Sequence, residues 1–328
     1  MSLSLKFSGR RCGKTSVRRL LSTVPETAAS RVIPTQPVCS PPDELKNNPE
    51  AFRDFVSSGS SVPLLFKHVP SQHDSRAETL IRALRKGEDR LVDIEVGRYD
   101  SIGQFDHVPM RLGQYLDWLE SDERTNGTVG GHQLYLAQWR GNDELPEVAQ
   151  LVKPPPLLAP LLSSGVADLY QTSFFIGPSN AVTPLHYDPY ENLYHLHASS
   201  ASSRCAKHFT LLPPSASEFL RRTDTYKSLH NTSFLDFCLR SSNPSSKNNE
   251  KAFDVLVDRA APATSVDAIS AATQSCILRE GETLFIPKGW WHRVENVSLT
   301  GDDTNSQTNA GWSAGVGWWF LLRKFRQN

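Results

Sequence analysis

No stretch of the 328 residues reaches the roughly 18 consecutive apolar side chains of a membrane span, so no such helix is expected. Net charge is also lacking: 35 Lys and Arg stand against 35 Asp and Glu, which argues against a broad nucleic-acid footprint. The five cysteines (Cys12, Cys39, Cys205, Cys238, Cys276) are scattered, with neither CxxC pairs nor zinc spacing. That excludes a structural zinc site and points to a reducing, intracellular compartment. There is no internal repeat.

Acidic residues are missing from the first 25 positions, which carry Lys6, Arg10, Arg11, Lys14, Arg18 and Arg19 and many serines. An Arg- and Ser-rich opening with few acids has the composition of a mitochondrial transit peptide, and otherwise of a disordered basic arm. Residues 1–30 are therefore set apart from the fold, and a mitochondrial matrix location is expected over cytoplasm or nucleus. Without them the chain holds 29 basic and 34 acidic residues, a sign that suits a basic partner.

The proline-dense residues 31–43 read as a linker, followed by a helix from Pro42 to about Val56. A strand is expected over Ser61–Lys67, a helix over Ala77–Arg85 and another over Leu112–Leu119. Leu91–Val96 alternates apolar and acidic side chains, as a half-buried strand does. From Gln133 onward the pattern becomes short strands broken by Gly, Pro, Ser and Asn, which predicts a sandwich or barrel. The polar inserts Ser199–Ser203 and Gly301–Asn309 read as solvated loops. A helix is expected around Lys251–Arg259. The division is thus a mixed helix and strand part over 31–130 and a β core over 131–322.

The segment TPLHYDPYENLYHLH, residues 183–197, carries the chemistry. His186 and Asp188 are two apart, so on a strand both side chains leave one face. An imidazole and a carboxylate placed so make two-thirds of a 2-His-1-carboxylate metal site with open positions. The second histidine must come from a distant strand, and GETLFIPKGWWHRVENV, residues 281–297, supplies His292 after a Pro287–Gly289 turn.

The HxD followed by NL, a basic residue before an LLPP end, GETLFIPKGWWH and an aromatic closing strand together resemble the JmjC family of Fe(II)- and 2-oxoglutarate-dependent oxygenases. Within it the chain looks like the small JmjC-only hydroxylases, a branch with protein arginyl and lysyl hydroxylases and the wybutosine tRNA hydroxylase. The resemblance covers roughly residues 40–322. It implies a mainly β fold with flanking helices, a double-stranded β-helix of jelly-roll or cupin-like form.

It further implies iron held by His186, Asp188 and His292, with 2-oxoglutarate and O2 as co-substrates. Lys207, in KHFTLLPP, matches the lysine that takes the distal carboxylate of 2-oxoglutarate. The ASSASSR insertion lengthens the spacing, so Arg204 and His208 stay as alternatives. Thr183, Asn192 and Tyr135 match positions that hydrogen-bond the co-substrate. Glu95, in DIEVGRY, matches an acid that contacts a substrate guanidinium in the arginyl branch, with Phe105 or Tyr99 as the aromatic beside it; otherwise Glu95 is a solvent-facing strand residue. His195 and His197 are expected to line the site rather than bind metal, and Trp312, Trp318 and Trp319 to fill the core.

The implied activity is hydroxylation of a protein side chain, arginine or lysine favoured, with release of succinate and CO2. The implied partner is a basic protein substrate, and a homodimer is in keeping with the branch. Rival readings are N-methyl-lysine demethylation, a tRNA base as substrate, and a non-catalytic interaction module on the same fold.

Overall fold

The computed structural model describes residues 31–67, 76–97, 105–121, 134–200, 205–220, 230–233, 235, 237–242, 252–257, 263–299 and 311–323. The basic opening read as a targeting segment, the Gly301–Asn309 loop, Tyr99 and Arg204 lie outside them.

In chain order the strands are β1 (Arg31–Ile33), β2 (Gln36–Pro37), β3 (Leu64–Phe66), β4 (Leu91–Val96), β5 (Asp106–Arg111), β6 (Leu134–Trp139), β7 (Ala167–Pro178) and β8 (Val182–Tyr187). They continue with β9 (Glu191–Ser199), β10 (Cys205–Leu212), β11 (Phe237–Ser242), β12 (Ala252–Val257), β13 (Gln274–Leu278), β14 (Thr283–Ile286), β15 (Trp291–Ser298) and β16 (Trp312–Leu322). One large sheet runs β3-β14-β9-β16-β7-β6-β4-β5 and faces a smaller one, β2-β13-β10-β15-β8. From β7 to β10 and again from β13 to β16, the chain crosses between the sheets at every turn. That is the winding of a double-stranded β-helix, closed by antiparallel ladders.

The period of two along each strand sorts the side chains into two cores. On β9, Tyr194 and Leu196 face between the sheets with Phe175, Phe209, Leu211 and Val294. Leu193, next to Tyr194, faces the other way, onto the helices that cover the large sheet. There Phe52, from the helix Pro49–Ser57, is fully buried with its ring 5.2 Å from that of Phe285. Burying a side chain of that size stabilises by roughly 1.5–3 kcal/mol.

Three expectations need correction. The Pro42–Val56 helix is two helices, Asp43–Lys46 and Pro49–Ser57. Asn48 restarts the chain as an N-cap, its side chain accepting from the amides of Glu50 and Ala51, both at 3.1 Å, with Pro49 at the first helical position. The stretch read as a linker holds β1, paired with β12, and β2, paired with β13. Pro37 is tolerated there because β2 is an edge strand. The expected helix around Lys251–Arg259 is instead β12, the central strand of the small β1-β12-β11 sheet. Val255 and Val257 are β-branched, and pairing on both sides outweighs any helical spacing.

Candidate metal centre and co-substrate pocket

His186 is the fifth residue of β8, and Asp188 follows where the hairpin to β9 begins. His292 is the second residue of β15 and sits opposite His186 in the ladder, so their rings lie 4.3 Å apart between centroids. The turn before β15 requires Gly289, whose φ of 78° is left-handed. Its amide donates to the Asp188 carbonyl at 2.8 Å, which ties the two ligand-bearing turns together.

One donor atom from each of His186, Asp188 and His292 lies within 4.8 Å of the others. The His186 and His292 Nε2 atoms stand 4.0 and 3.6 Å from the Asp188 carboxylate oxygens. First-row metals bond such donors at roughly 2.0–2.2 Å, so a small inward shift of the side chains would close the set around one ion. The Nδ1 atoms lie 2.9 Å from the Pro184 carbonyl and 3.0 Å from the Trp290 carbonyl. Donation there puts the proton on Nδ1 and leaves each Nε2 lone pair facing Asp188.

The electrostatics agree with that donor set. Burial, with the neighbouring His186, pushes the His292 imidazole down to about 4, so it is neutral at physiological pH. Burial opposes ionisation of Asp188, but the two imidazoles and the Trp319 indole outweigh it and hold the carboxyl below its usual range.

A cavity of about 970 Å³ opens from these three residues and is lined also by Thr183, Asn192, Tyr135 and Tyr194. Beneath it, between the rings of Tyr135 and Tyr194, lies the Lys207 ammonium, 5.8 and 5.9 Å from their centroids. Lys207 is wholly buried, donates to Asn296 Oδ1 at 2.6 Å and has no carboxylate partner among the described residues. Burial, opposed by Cys205, pushes it down to about 7. Asn192 Oδ1 and the Tyr194 hydroxyl are also buried without partners among the described residues, whereas Tyr135 is hydrogen-bonded to Thr183. A cation without a counterion beside unfilled polar groups is a place built for an anion, so these residues fit 2-oxoglutarate.

His208, the alternative to Lys207, lies on the opposite face of β10 with its ring 6.0 Å from Phe253. Glu95 is on the cavity wall, paired across strands with both Tyr135 and His107. Burial, helped by Asp93 and opposed by His107, pushes its carboxyl up to about 7. Phe105 also lines the cavity.

His195 and His197, expected to line this site, point through the large sheet to its outer side instead, because they alternate with Tyr194 and Leu196. Trp319 was read as core filling, yet its Nε1 donates to Asp188 Oδ2 at 2.9 Å. The Trp318-Trp319 doublet held that signal, since neighbours on a strand face opposite ways. Asn296 and Tyr194 were also missed, and the segments that contain them gave no separate sign.

The model of a family described as a cupin-like domain matches residues 48–322. The chain is 26% identical over 253 residues to "Lysine-specific demethylase JMJ30" of Arabidopsis thaliana, covering 76% of this chain and 50% of that protein. It is 25% identical over 211 residues to "Lysine-specific demethylase 8" of Xenopus tropicalis, covering 64% and 40%. With "JmjC domain-containing protein E" of Dictyostelium discoideum it is 26% identical over 177 residues, covering 46% and 42%. The match thus spans half or less of the length of these relatives.

Proposed function

Because this chain belongs to the cupin-like domain family, we propose that it is an Fe(II)- and 2-oxoglutarate-dependent oxygenase that hydroxylates a basic side chain of a protein. The observation that carries this reading is Lys207, a buried cation without a carboxylate partner among the described residues, beneath the cavity that holds His186, Asp188 and His292.

In this reading His186, Asp188 and His292 hold the iron, Nδ1 donation fixing both imidazoles and Trp319 fixing the carboxylate. Lys207 takes the distal carboxylate of 2-oxoglutarate by a charge-assisted hydrogen bond, with Tyr194, Asn192, Thr183 and Tyr135 around it. Bound iron and 2-oxoglutarate supply the oxidising power that inserts one oxygen atom of O2 into a C–H bond, releasing succinate and CO2. Phe175, Phe209, Val294 and Trp319 give the cavity apolar walls that limit water near the reacting atoms. Glu95 receives the cationic end of the substrate, which draws its carboxyl into the ionised form and can be gripped through two N–H bonds. The stacked rings of Tyr170 and Tyr190, 4.0 Å apart, also line the cavity and offer a face to a cation.

A second reading is removal of an N-methyl group from lysine, which starts with the same hydroxylation. The names of the Arabidopsis and Xenopus relatives favour it. One experiment addresses both. Purified protein with Fe(II), ascorbate and 2-oxoglutarate is assayed for succinate, beside His186→Ala, with unmodified and methylated basic peptides. Succinate that disappears in the variant supports the oxygenase. A peptide gaining one oxygen supports hydroxylation, and formaldehyde release supports demethylation. Succinate at the same rate in the variant would sink the assignment.

A further inference from the structure

On the far side of the large sheet from the metal centre lies a second cavity, of about 1040 Å³. Its floor is β9, where Leu193, His195 and His197 face away from the barrel interior, and its walls come from the segments around residues 65–67 and 151–157. Lys46, Lys67, Arg76 and Lys153 line it, and among the described residues no Asp or Glu does. Lys46 is paired with Asp43, but Lys67, Arg76 and Lys153 have no ion pair among the described residues. Three uncompensated cations in one concavity are unexpected on a body with 29 basic and 34 acidic residues.

The interior is different from the rim. Phe66, Leu157 and Trp318 make it apolar. Trp318 is 1% exposed, and its Nε1 has no hydrogen-bond partner among the described residues. The Nε2 of His197 is also buried without a partner among the described residues. Burial, with the charge of Arg76, pushes that imidazole down to about 4, so it sits there neutral. A neutral donor and a neutral ring nitrogen within apolar walls suit a heterocycle. Lys67 and Lys153 at the exposed rim suit phosphates that keep part of their hydration. A small dicarboxylate would leave most of the volume unfilled, and a nucleic-acid backbone needs an open track rather than a recess.

We propose that this cavity binds a phosphate-bearing small molecule of nucleotide size, its phosphates held by Lys67, Arg76 and Lys153 and its ring placed against Phe66, Leu157 and Trp318. The site shares no lining residue with the metal centre and does not depend on the oxygenase reading.

The test uses the whole 328-residue chain kept metal-free with a chelator, and ADP carrying an N-methylanthraniloyl fluorophore as the probe, read by anisotropy. The expected result is saturable binding displaced by unlabelled ADP and weakened roughly tenfold or more in Lys67→Glu and in Lys153→Glu. Both lysines are exposed, so circular dichroism should show each variant folded, while His197→Ala probes the interior and should weaken binding as well. His186→Ala should bind the probe as the parent does. Absence of saturable binding, or binding unchanged in both charge reversals, overturns the proposal. So does displacement by adenosine as readily as by ADP, tighter binding of a single-stranded oligonucleotide, or loss of binding in His186→Ala.

Discussion

Trp319 donates its indole N–H to Asp188 Oδ2 at 2.9 Å, so β16 positions a carboxylate that belongs to the β8–β9 hairpin. The same oxygen faces His292 Nε2 at 3.6 Å. Without the indole, the carboxylate could rotate away from the two imidazoles. Trp319→Phe keeps the ring but removes the donor, and metal affinity should fall by about 10–100-fold with the fold intact. Titration with Co(II), followed by its absorption, checks this; an unchanged affinity would make Trp319 core filling only.

Gly315 of β16 lies under Tyr194, and a Cβ there would occupy the place of the Tyr194 hydroxyl. Tyr194 is 4% exposed and packed against Phe209 and Phe175, so it has little room to retreat. Gly315→Ala should therefore cost about 1–3 kcal/mol by overpacking. It should also weaken 2-oxoglutarate binding, since the displaced hydroxyl is one of the unpartnered groups above Lys207. Chemical denaturation and calorimetric titration measure the two effects separately.

The features legible in the sequence were those that a period of two and a local motif can carry. Leu91–Val96 was read with its observed bounds because alternation and flanking turns mark both ends. The HxD spacing forced His186 and Asp188 to one side, but only the ladder register puts His292 opposite His186. The strand β12 was misread because one of its two partners, β1, is remote in sequence and lies in a stretch read as linker. His195 and His197 were misplaced for a related reason. Alternation says that they share a face with Leu193, and only the sheet shows that this face is turned away from the metal centre. Asn296 depends on a side-chain contact across the barrel, with Lys207 89 positions away, which no local pattern records.

Glu95 leads to a prediction about pH. Its carboxyl, pushed up to about 7 by burial, is largely protonated below that value and ionised above it. Asp93 and His107 are the charged or titratable groups acting on it. If the ionised form grips a cationic side chain, kcat/KM for a basic peptide should rise as pH increases through about 7. Glu95→Gln should flatten that rise and lower kcat/KM by roughly 10–100-fold. Metal affinity and peptide-independent succinate release should stay as in the parent. The same rise persisting in the variant would assign it to another group.

Lys207 connects stability to the co-substrate. Its ordinary value of 10.5 is lowered to about 7 by burial, so the folded protein gives up this proton more readily than the unfolded chain. Between about pH 7 and 10.5 the unfolded state binds more protons, so stability rises with pH across that window. The contribution is about 1.4 kcal/mol per pH unit. Below about pH 7 the cost of burying the ammonium is felt in full. Lys207→Met removes the titration and should remove this slope. It leaves Asn296 Oδ1 without its donor, at about 1–3 kcal/mol, but that cost does not vary with pH. Tyr135 and Tyr194 titrate in both proteins, so the difference between the two urea-denaturation profiles is the quantity to read. Saturating 2-oxoglutarate should shrink the slope in the parent, because its carboxylate stabilises the ammonium, and should do nothing in the variant. A parent slope indifferent to 2-oxoglutarate would mean that the anion does not reach Lys207.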